Sequence, residues 1–524
     1  MTGKISPRAV RRDLLARREI AILDLREEDR FAKSHPLFAA NLPLGRLEIE
    51  AFERLPRRDA RIVLYDDGEG LVDRAADTLS ALGYTNVHAL DGGLSGWAAA
   101  GYELFQDVNS ASKAFGELVE ARRHTPSLPA TEAKALIEGP EPTVVFDARR
   151  FDEYQVMSIP TGVSVPGAEL VLRARTLAPD PATTVIVNCA GRTRSLIGAQ
   201  SLINAGLPNR VVALRNGSIG WTLAGQVLER GQGRRYVEPS EAEERQARRV
   251  AADVAYRAGV RRLQPGDLDE LASDAGRALY RFDPRQPDEF VEGHLPGFVN
   301  APGGQLAQET DHAAPVRGAR IVLADPRGAR ADMTASWLAQ MGWEVYVLDA
   351  PADAFKERGA VPRQHPAPPA VATLGVHDLA ARLAEETVTV IDLGPSPAHR
   401  RGHIPGAWFA IRSRLPTDLS RIPTDRPFVV ASPDDLLARF AASEIANLSG
   451  VAAHVLEGGT QAWTTAGLPL ETGLVRAASA PEDVYKRPYE GTDNAAEAMQ
   501  AYLDWEFGLV DQLARDGTHG FIVI

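Results

Sequence analysis

Short apolar runs rich in β-branched residues alternate along this chain with longer stretches whose apolar positions recur at helical spacing, a pattern that predicts buried parallel strands joined by helices. Four of the runs end in aspartate: Asp24 in Ile-Leu-Asp-Leu-Arg, Asp147 in Val-Phe-Asp-Ala-Arg, Asp283 in Arg-Phe-Asp-Pro-Arg and Asp392 in Val-Ile-Asp-Leu-Gly. After each comes another apolar strand, and Asp66, Cys189 and Asp325 stand 42 residues after the first three aspartates. Gly83, Gly206 and Gly342 close the next helices 17 residues further on. The fourth copy is slightly shorter, with Ser432-Pro433 in the equivalent turn and Gly450 at the helix end. A final strand (Val87–Leu90, Val211–Leu214, residues 345–348, Ala453–Leu456) leads in each copy to a turn and an aromatic, Trp97, Trp221, Phe355 or Trp463, which reads as a core plug.

Repeats longer than about 50 residues exceed a solenoid unit, so the copies are tandem domains. Strand and helix in alternation give each a parallel sheet covered on both faces. The expected fold class is therefore α/β: four three-layer domains with central parallel sheets at 6–104, 129–229, 264–359 and 373–470, and a helical tail at 480–524. Residues 107–124 and 239–259 read as linker helices, the second with glutamates leading and arginines following, as a helix dipole favours. Residues 362–369 (Pro-Arg-Gln-His-Pro-Ala-Pro-Pro) form a stiff extended linker. In the tail, residues 495–514 predict one long amphipathic helix whose apolar side must pack on something. Two dockings are open: a clasp over other repeats that brings residues 485–489 near Cys189, or packing on the fourth copy alone.

Composition narrows the functional classes. At 524 residues, 44% hydrophobic and 24% charged, the chain is ordinary globular protein, and its net charge of −12 argues against nucleic acid as a general partner. One cysteine allows no intramolecular disulfide and fits a reducing, cytoplasmic compartment. No apolar run reaches spanning length, so no membrane partner is expected. The arginines between Arg8 and Arg18 read as an ordinary first helix, because Asp13, Glu19 and the strand at 21–23 follow at once.

The single cysteine is also where the chemistry concentrates. Cys189 lies between a strand at 185–187 and a helix at 196–205, in the turn Cys-Ala-Gly-Arg-Thr-Arg-Ser. Such a turn aims backbone N–H groups and the positive end of the helix at its centre, a setting that favours anions. With Arg192 and Arg194 beside it, the thiol pKa is expected to be lowered and an anionic substrate held. Gly191 allows close backbone approach, while Ser195 either caps the helix or, with Thr193, touches substrate. Asp66 and Asp325 put a carboxylate where Cys189 has a thiol and cannot do a thiol's chemistry. His399 and His403 have the spacing of a metal pair but lie in a turn without a third ligand, so no metal or cofactor is expected.

These features resemble the rhodanese family of sulfurtransferases, in the arrangement of its multi-repeat bacterial thiosulfate sulfurtransferases. The resemblance rests on the strand-ending Asp with Arg two residues on (Asp147, Arg149), Gly-His-Leu-Pro-Gly at 293–297, Gly-His-Ile-Pro-Gly at 402–406, the cysteine loop and the Gly-Gly…Trp endings. It implies that Cys189 is catalytic and that Ala190, Gly191, Arg192, Thr193, Arg194 and Ser195 bind substrate. The cysteine then takes sulfane sulfur from thiosulfate or a persulfide donor and hands it to a nucleophile such as cyanide or a thiol, by covalent ping-pong chemistry. Copies one, three and four are inactive on this view, and small-molecule donors and acceptors are the partners, with a protein acceptor and the oligomeric state left open. The second copy departs from the pattern in reading Met157-Ser158-Ile159-Pro160. Related phosphatases place arginine six residues after cysteine; here that residue is Ser195 and the arginine comes one place earlier. The rival reading is a non-catalytic persulfide carrier or interaction scaffold.

Overall fold

The computed structural model describes residues 2–524. It contains four sheets, one per copy. In the second copy the strand order is Ser127–Leu128, Val211–Leu214, Thr184–Asn188, Thr143–Asp147, Val163–Ser164, all parallel, with Val185 paired to both Val144 and Val211. All five residues of the strand Thr184–Asn188 are buried, which is why it reads as an unbroken apolar run. The first copy departs from the all-parallel expectation. Its strand Ile20–Asp24 also pairs antiparallel with Val316–Arg317, a two-residue strand lent by the third copy and too short to show a period.

The aspartates that end the strands are clamps. Arg26, Arg149 and Arg285 each donate to the aspartate two residues before (Nη2 to Oδ2 2.6, 2.7 and 2.6 Å) and to the carbonyl eight residues further on, of Ser34, Met157 and Gly293. In the fourth copy glycine replaces the arginine, and His399 Nδ1 bonds Asp392 at 2.7 Å while its ring stacks on His403. The histidine spacing that resembles a metal pair therefore serves packing. Trp97, Trp221 and Trp463 plug the cores, each indole N–H donating to the carbonyl six residues on. At Ser158 the second copy keeps the backbone bridge (to Glu229, 2.9 Å both ways) that His35, His294 and His403 make in the others.

Copies two and three meet, as do copies one and four, and copy three also shares a core with copy one. Gly167 abuts Gly304 between copies two and three, and Gly45 abuts Ser413 between copies one and four. The helix Glu241–Arg257 packs on Ala329–Gln340 and Leu170–Leu177, tying copy two to copy three. The first linker helix, Ser110–Arg123, is no exposed spacer: every residue from Ser110 to Val119 is buried, and it runs against the helix Thr193–Asn204 that follows Cys189. The tail forms two helices where one was expected, Ala496–Phe507 and Leu509–Asp516, parted at Gly508. It clasps the chain over a long range. Glu482, Arg487 and Arg515 pair with Arg30, Glu28 and Glu103 of copy one, and Ile522 N–H donates to Gln340 of copy three. No helix among the described residues is long and apolar enough to cross a membrane.

Candidate active site

Cys189 begins the turn that leads from the strand Thr184–Asn188 into the helix Thr193–Asn204. Asn188 anchors the base of the turn by donating from Nδ2 to Asp147 Oδ2 at 2.9 Å, so the clamp and the cysteine loop share one carboxylate. From the other side Gly217 (φ +54°) lies against the Cys189 carbonyl, where a Cβ would sit 2.4 Å from the oxygen. The Ser218 and Ile219 N–H groups donate to the carbonyls of Cys189 and Ala190. The loop backbone is thus fixed by three elements. No side chain caps the helix Thr193–Asn204, so its first N–H groups stay turned toward the loop centre.

Within the loop the structure joins Cys189 to Ser195, whose Oγ lies 3.5 Å from Sγ and donates to the Arg192 carbonyl at 2.8 Å. Ser195 therefore faces the sulfur and is not the helix cap. The arginines do not behave as free anion hooks. Arg192 is buried and is bound by Glu117 (2.7 and 2.9 Å), by Glu120 and by Asn216 (3.0 Å), with its guanidinium over the Phe507 ring. Arg194 is held by both oxygens of Glu153, at 2.7 and 2.8 Å. Thr193 is buried with its hydroxyl unpartnered.

A model of the rhodanese-like domain matches the chain four times, at residues 8–100, 129–224, 265–358 and 375–466. The chain belongs to the rhodanese-like family. Along its full length it is similar to a thiosulfate sulfurtransferase from Pseudomonas aeruginosa, at 58% identity, with all of both chains covered and a TM-score of 0.97. It is also similar to the uncharacterized protein YqhL of Bacillus subtilis (strain 168), at 35% identity over 80 residues, or 15% of this chain; the match spans 62% of that relative. The Alr3790 protein from Anabaena sp. matches at 25% identity over 21% of this chain and 86% of its own, with a TM-score of 0.19.

Within this rhodanese-like loop the electrostatics differ from the expectation of an acidified thiol. Burial pushes the Cys189 thiol up, against the opposing pull of Arg194 and Ser195. Two causes account for this. Cys189 is only 2% exposed, and the two loop arginines face three carboxylates, leaving little net positive charge to stabilise a thiolate. Arg194 in turn holds the Glu153 carboxyl down at about 2.

Two cavities flank the rhodanese-like loop. One of about 530 Å³ lies between copies two and three and is lined by Arg194, Arg150, Arg235 and Tyr236 among others. Another of about 280 Å³, lined by Ile219, Tyr489 and Met499, lies between copy two and the tail. Cys189 lines neither, because the tail sits on its loop. Ala190 and Ile219 pack with Tyr489, Met499, Tyr502 and Leu503. At Gly191 a Cβ would lie 3.2 Å from Tyr502 Cε1 and 3.4 Å from Glu506 Oε2. Tyr502 and Glu506, and the carboxylates Glu117, Glu120 and Glu153, are the site residues that sequence reading missed. A signal for Glu506 existed: Met499, Tyr502, Leu503 and Glu506 lie at helical spacing on one buried face, where a carboxyl is out of place.

Proposed function

We propose that this chain is a sulfurtransferase in which Cys189 alone carries sulfane sulfur, taken from thiosulfate or a related persulfide donor and passed to a nucleophile such as cyanide or a small thiol. The observation that carries the reading is the contrast among the four loops. Only the second opens on a thiol, and only there does no carboxylate of the loop itself accept from the N–H groups. Likeness along the whole chain to a thiosulfate sulfurtransferase supports the same reaction class.

The thiol gives its proton to solvent, and the thiolate attacks the outer sulfur of the donor. The bond from that sulfur to the sulfonate breaks, and sulfite leaves with the electron pair. A nucleophile then attacks the outer sulfur of the persulfide, and Sγ departs as thiolate. The loop's N–H groups and the helix end stabilise the anionic sulfur. Arg194 favours the thiolate from its place against Glu153, while Arg192 ties the loop to the first linker helix. With no second cysteine, the sulfur leaves only to an acceptor from outside the chain. The test is an intact-mass spectrum after incubation with thiosulfate, read beside the rate of thiocyanate formation from cyanide. Gain of one sulfur atom with turnover is expected; a chain that gains none refutes the assignment.

A further inference from the structure

We propose that the C-terminal helix Ala496–Phe507 is the cap of the Cys189 site and that its Glu506 meets the outer sulfur of the persulfide, an inference that rests on the assignment of Cys189 as sulfur carrier. The helix comes from outside every repeat, yet it closes the loop of one. Met499, Tyr502, Leu503 and Glu506 are its buried residues, and the first three cover Ala190 while Tyr502 and Glu506 meet Gly191.

Glu506 is fully buried, and its two oxygens differ. Oε1 accepts from the Tyr502 hydroxyl at 2.7 Å; Oε2, the oxygen on the Gly191 side, has no partner. A buried carboxylate with an unpartnered oxygen is strongly unfavourable, and the group responds by holding a proton. Burial and then the Glu117 carboxylate push its pKa up to about 8, against the opposing pull of Lys113, Tyr502 and Arg192. Because Oε1 is occupied as an acceptor, the proton sits on Oε2 and points toward the loop. A persulfide adds one anionic sulfur atom to Sγ, and an O–H aimed at it supplies a charge-assisted hydrogen bond where water is excluded.

The cap is latched from the first linker helix. Lys113 Nζ is bound to Asp107 Oδ1 at 2.8 Å and lies 5.0, 5.0 and 5.6 Å from the rings of Tyr489, Tyr502 and Trp505. The groups facing Glu506 are thus Lys113 and Glu117 from that helix, Cys189 and Arg192 from the loop, and Tyr502 from its own helix. Above pH 8 the O–H donor becomes a carboxylate set against both Glu117 and the persulfide anion. The hydrogen bond turns to repulsion, and the sulfur becomes easier to remove. When a nucleophile takes it, the bond between Sγ and the outer sulfur breaks with the electron pair staying on Sγ.

The full chain is loaded with thiosulfate, freed of donor and followed by intact mass at pH 7 and pH 9 under a fixed low concentration of an uncharged triarylphosphine. The protonation of this sulfur acceptor does not change between these values, and it leaves as the phosphine sulfide while Sγ keeps the electron pair. Wild type is expected to lose its sulfur about tenfold faster at pH 9 than at pH 7. Glu506→Gln keeps a donor of the same shape that cannot ionise, so its loss is slow at both values; Glu506→Ala, checked for folding by thermal melting, is fast at both. A wild-type pH dependence in Glu506→Gln, or a wild-type lifetime at pH 7 in Glu506→Ala, overturns the role of Glu506. A wild-type chain that never gains sulfur overturns the assignment of Cys189, and this inference with it.

Discussion

The loop that starts at Cys189 and the loop that starts at Asp325 occupy the same place in neighbouring copies of one domain, and they use the same backbone donors in opposite ways. In the third copy the nest binds its own side chain. Asp325 accepts from the N–H groups of Arg327 and Arg330, both at 3.1 Å, and from the Arg330 guanidinium at 3.1 and 3.2 Å. Arg330, fully buried, also reaches Glu169 of copy two at 3.0 Å and Glu289 at 2.6 Å. Asp66 does the same on a smaller scale, accepting from Gly68 and Leu71, and in the fourth copy Asp434 accepts from Leu436 and Leu437. A strand-to-helix turn needs an anion; three copies supply one covalently, and the second keeps the place for a ligand. With aspartate where copy two has cysteine, the third loop serves as a packing device, its Arg330 joining copy two to copy three.

The strongest way to break this comparison is to exchange the first residues. Cys189→Ser is expected to stay folded and to lose sulfur uptake and turnover completely, since no other side chain in the sequence forms a persulfide. Adding Asp325→Cys to that variant should restore nothing, because Arg330 fills the third loop between two remaining carboxylates. Sulfur uptake by the double variant, read by intact mass, would show that the loops differ only in their first residue.

The next largest effect concerns stability. Asp325→Ala removes the carboxylate that the nest and Arg330 share, and should cost the third domain about 3 kcal/mol. The measurement is thermal unfolding of the full chain, resolved into domain transitions because a chain of this kind does not melt in two states. Asp66→Ala, which frees two N–H groups near the surface and no buried arginine, should cost about 1 kcal/mol. Equal costs at the two positions would mean that the ion-paired arginine adds nothing.

Sequence reading reached the repeat, the strand-turn-helix around Cys189 and the family because all three are local or periodic: apolar runs, fixed spacings and short motifs. It went wrong where charge had to be summed over partners far along the chain. Arg192 and Arg194 looked like free cations beside a thiol, but their carboxylates lie 75, 72 and 41 residues away, at Glu117, Glu120 and Glu153, and pair only once the linker helix and copy two have packed. The same limit hid the lent strand Val316–Arg317 and the docking of the tail. Of the two dockings left open for the tail, the structure has the long-range clasp, with Tyr489 packed beside Ala190 of the cysteine loop. Glu506 was visible only as a carboxyl on an apolar helix face.

A smaller effect sharpens the arginine correction. In Glu153→Gln, Arg194 loses the charge that screens it from Cys189, so the thiol pKa should fall and alkylation by iodoacetamide at pH 7 should quicken by about three- to tenfold. The acid limb moves with it. Glu153 is held at about 2, below its ordinary value, so its pairing contributes fully above about pH 4.5 and is lost as pH falls through about 2. The glutamine variant should lose part of that acid dependence. Unchanged alkylation would mean that burial by the tail alone sets the thiol's reactivity.

The smallest effect tests the position where copy two lacks the histidine of the other three. His294 stacks on Phe290 with ring centroids 3.9 Å apart and bonds the Phe290 carbonyl at 3.0 Å, so His294→Ala leaves a cavity and should cost about 2 kcal/mol. Ser158 sits at the equivalent place with its hydroxyl buried and unpartnered, beside Tyr154, whose own hydroxyl donates to the Gly162 carbonyl at 2.7 Å. What Ser158 contributes is its backbone, through the paired bonds with Glu229, and alanine keeps those. Ser158→Ala should therefore change stability by less than about 1 kcal/mol and leave sulfur transfer untouched. The histidine would then be a device for filling space next to the Asp-Arg clamp, one that copy two does without while Tyr154 keeps the place that Phe290 holds in copy three. A large loss in Ser158→Ala, seen as early melting of the second domain together with slower turnover, would mean that the hydroxyl supports the clamp that Asn188 shares with the cysteine loop.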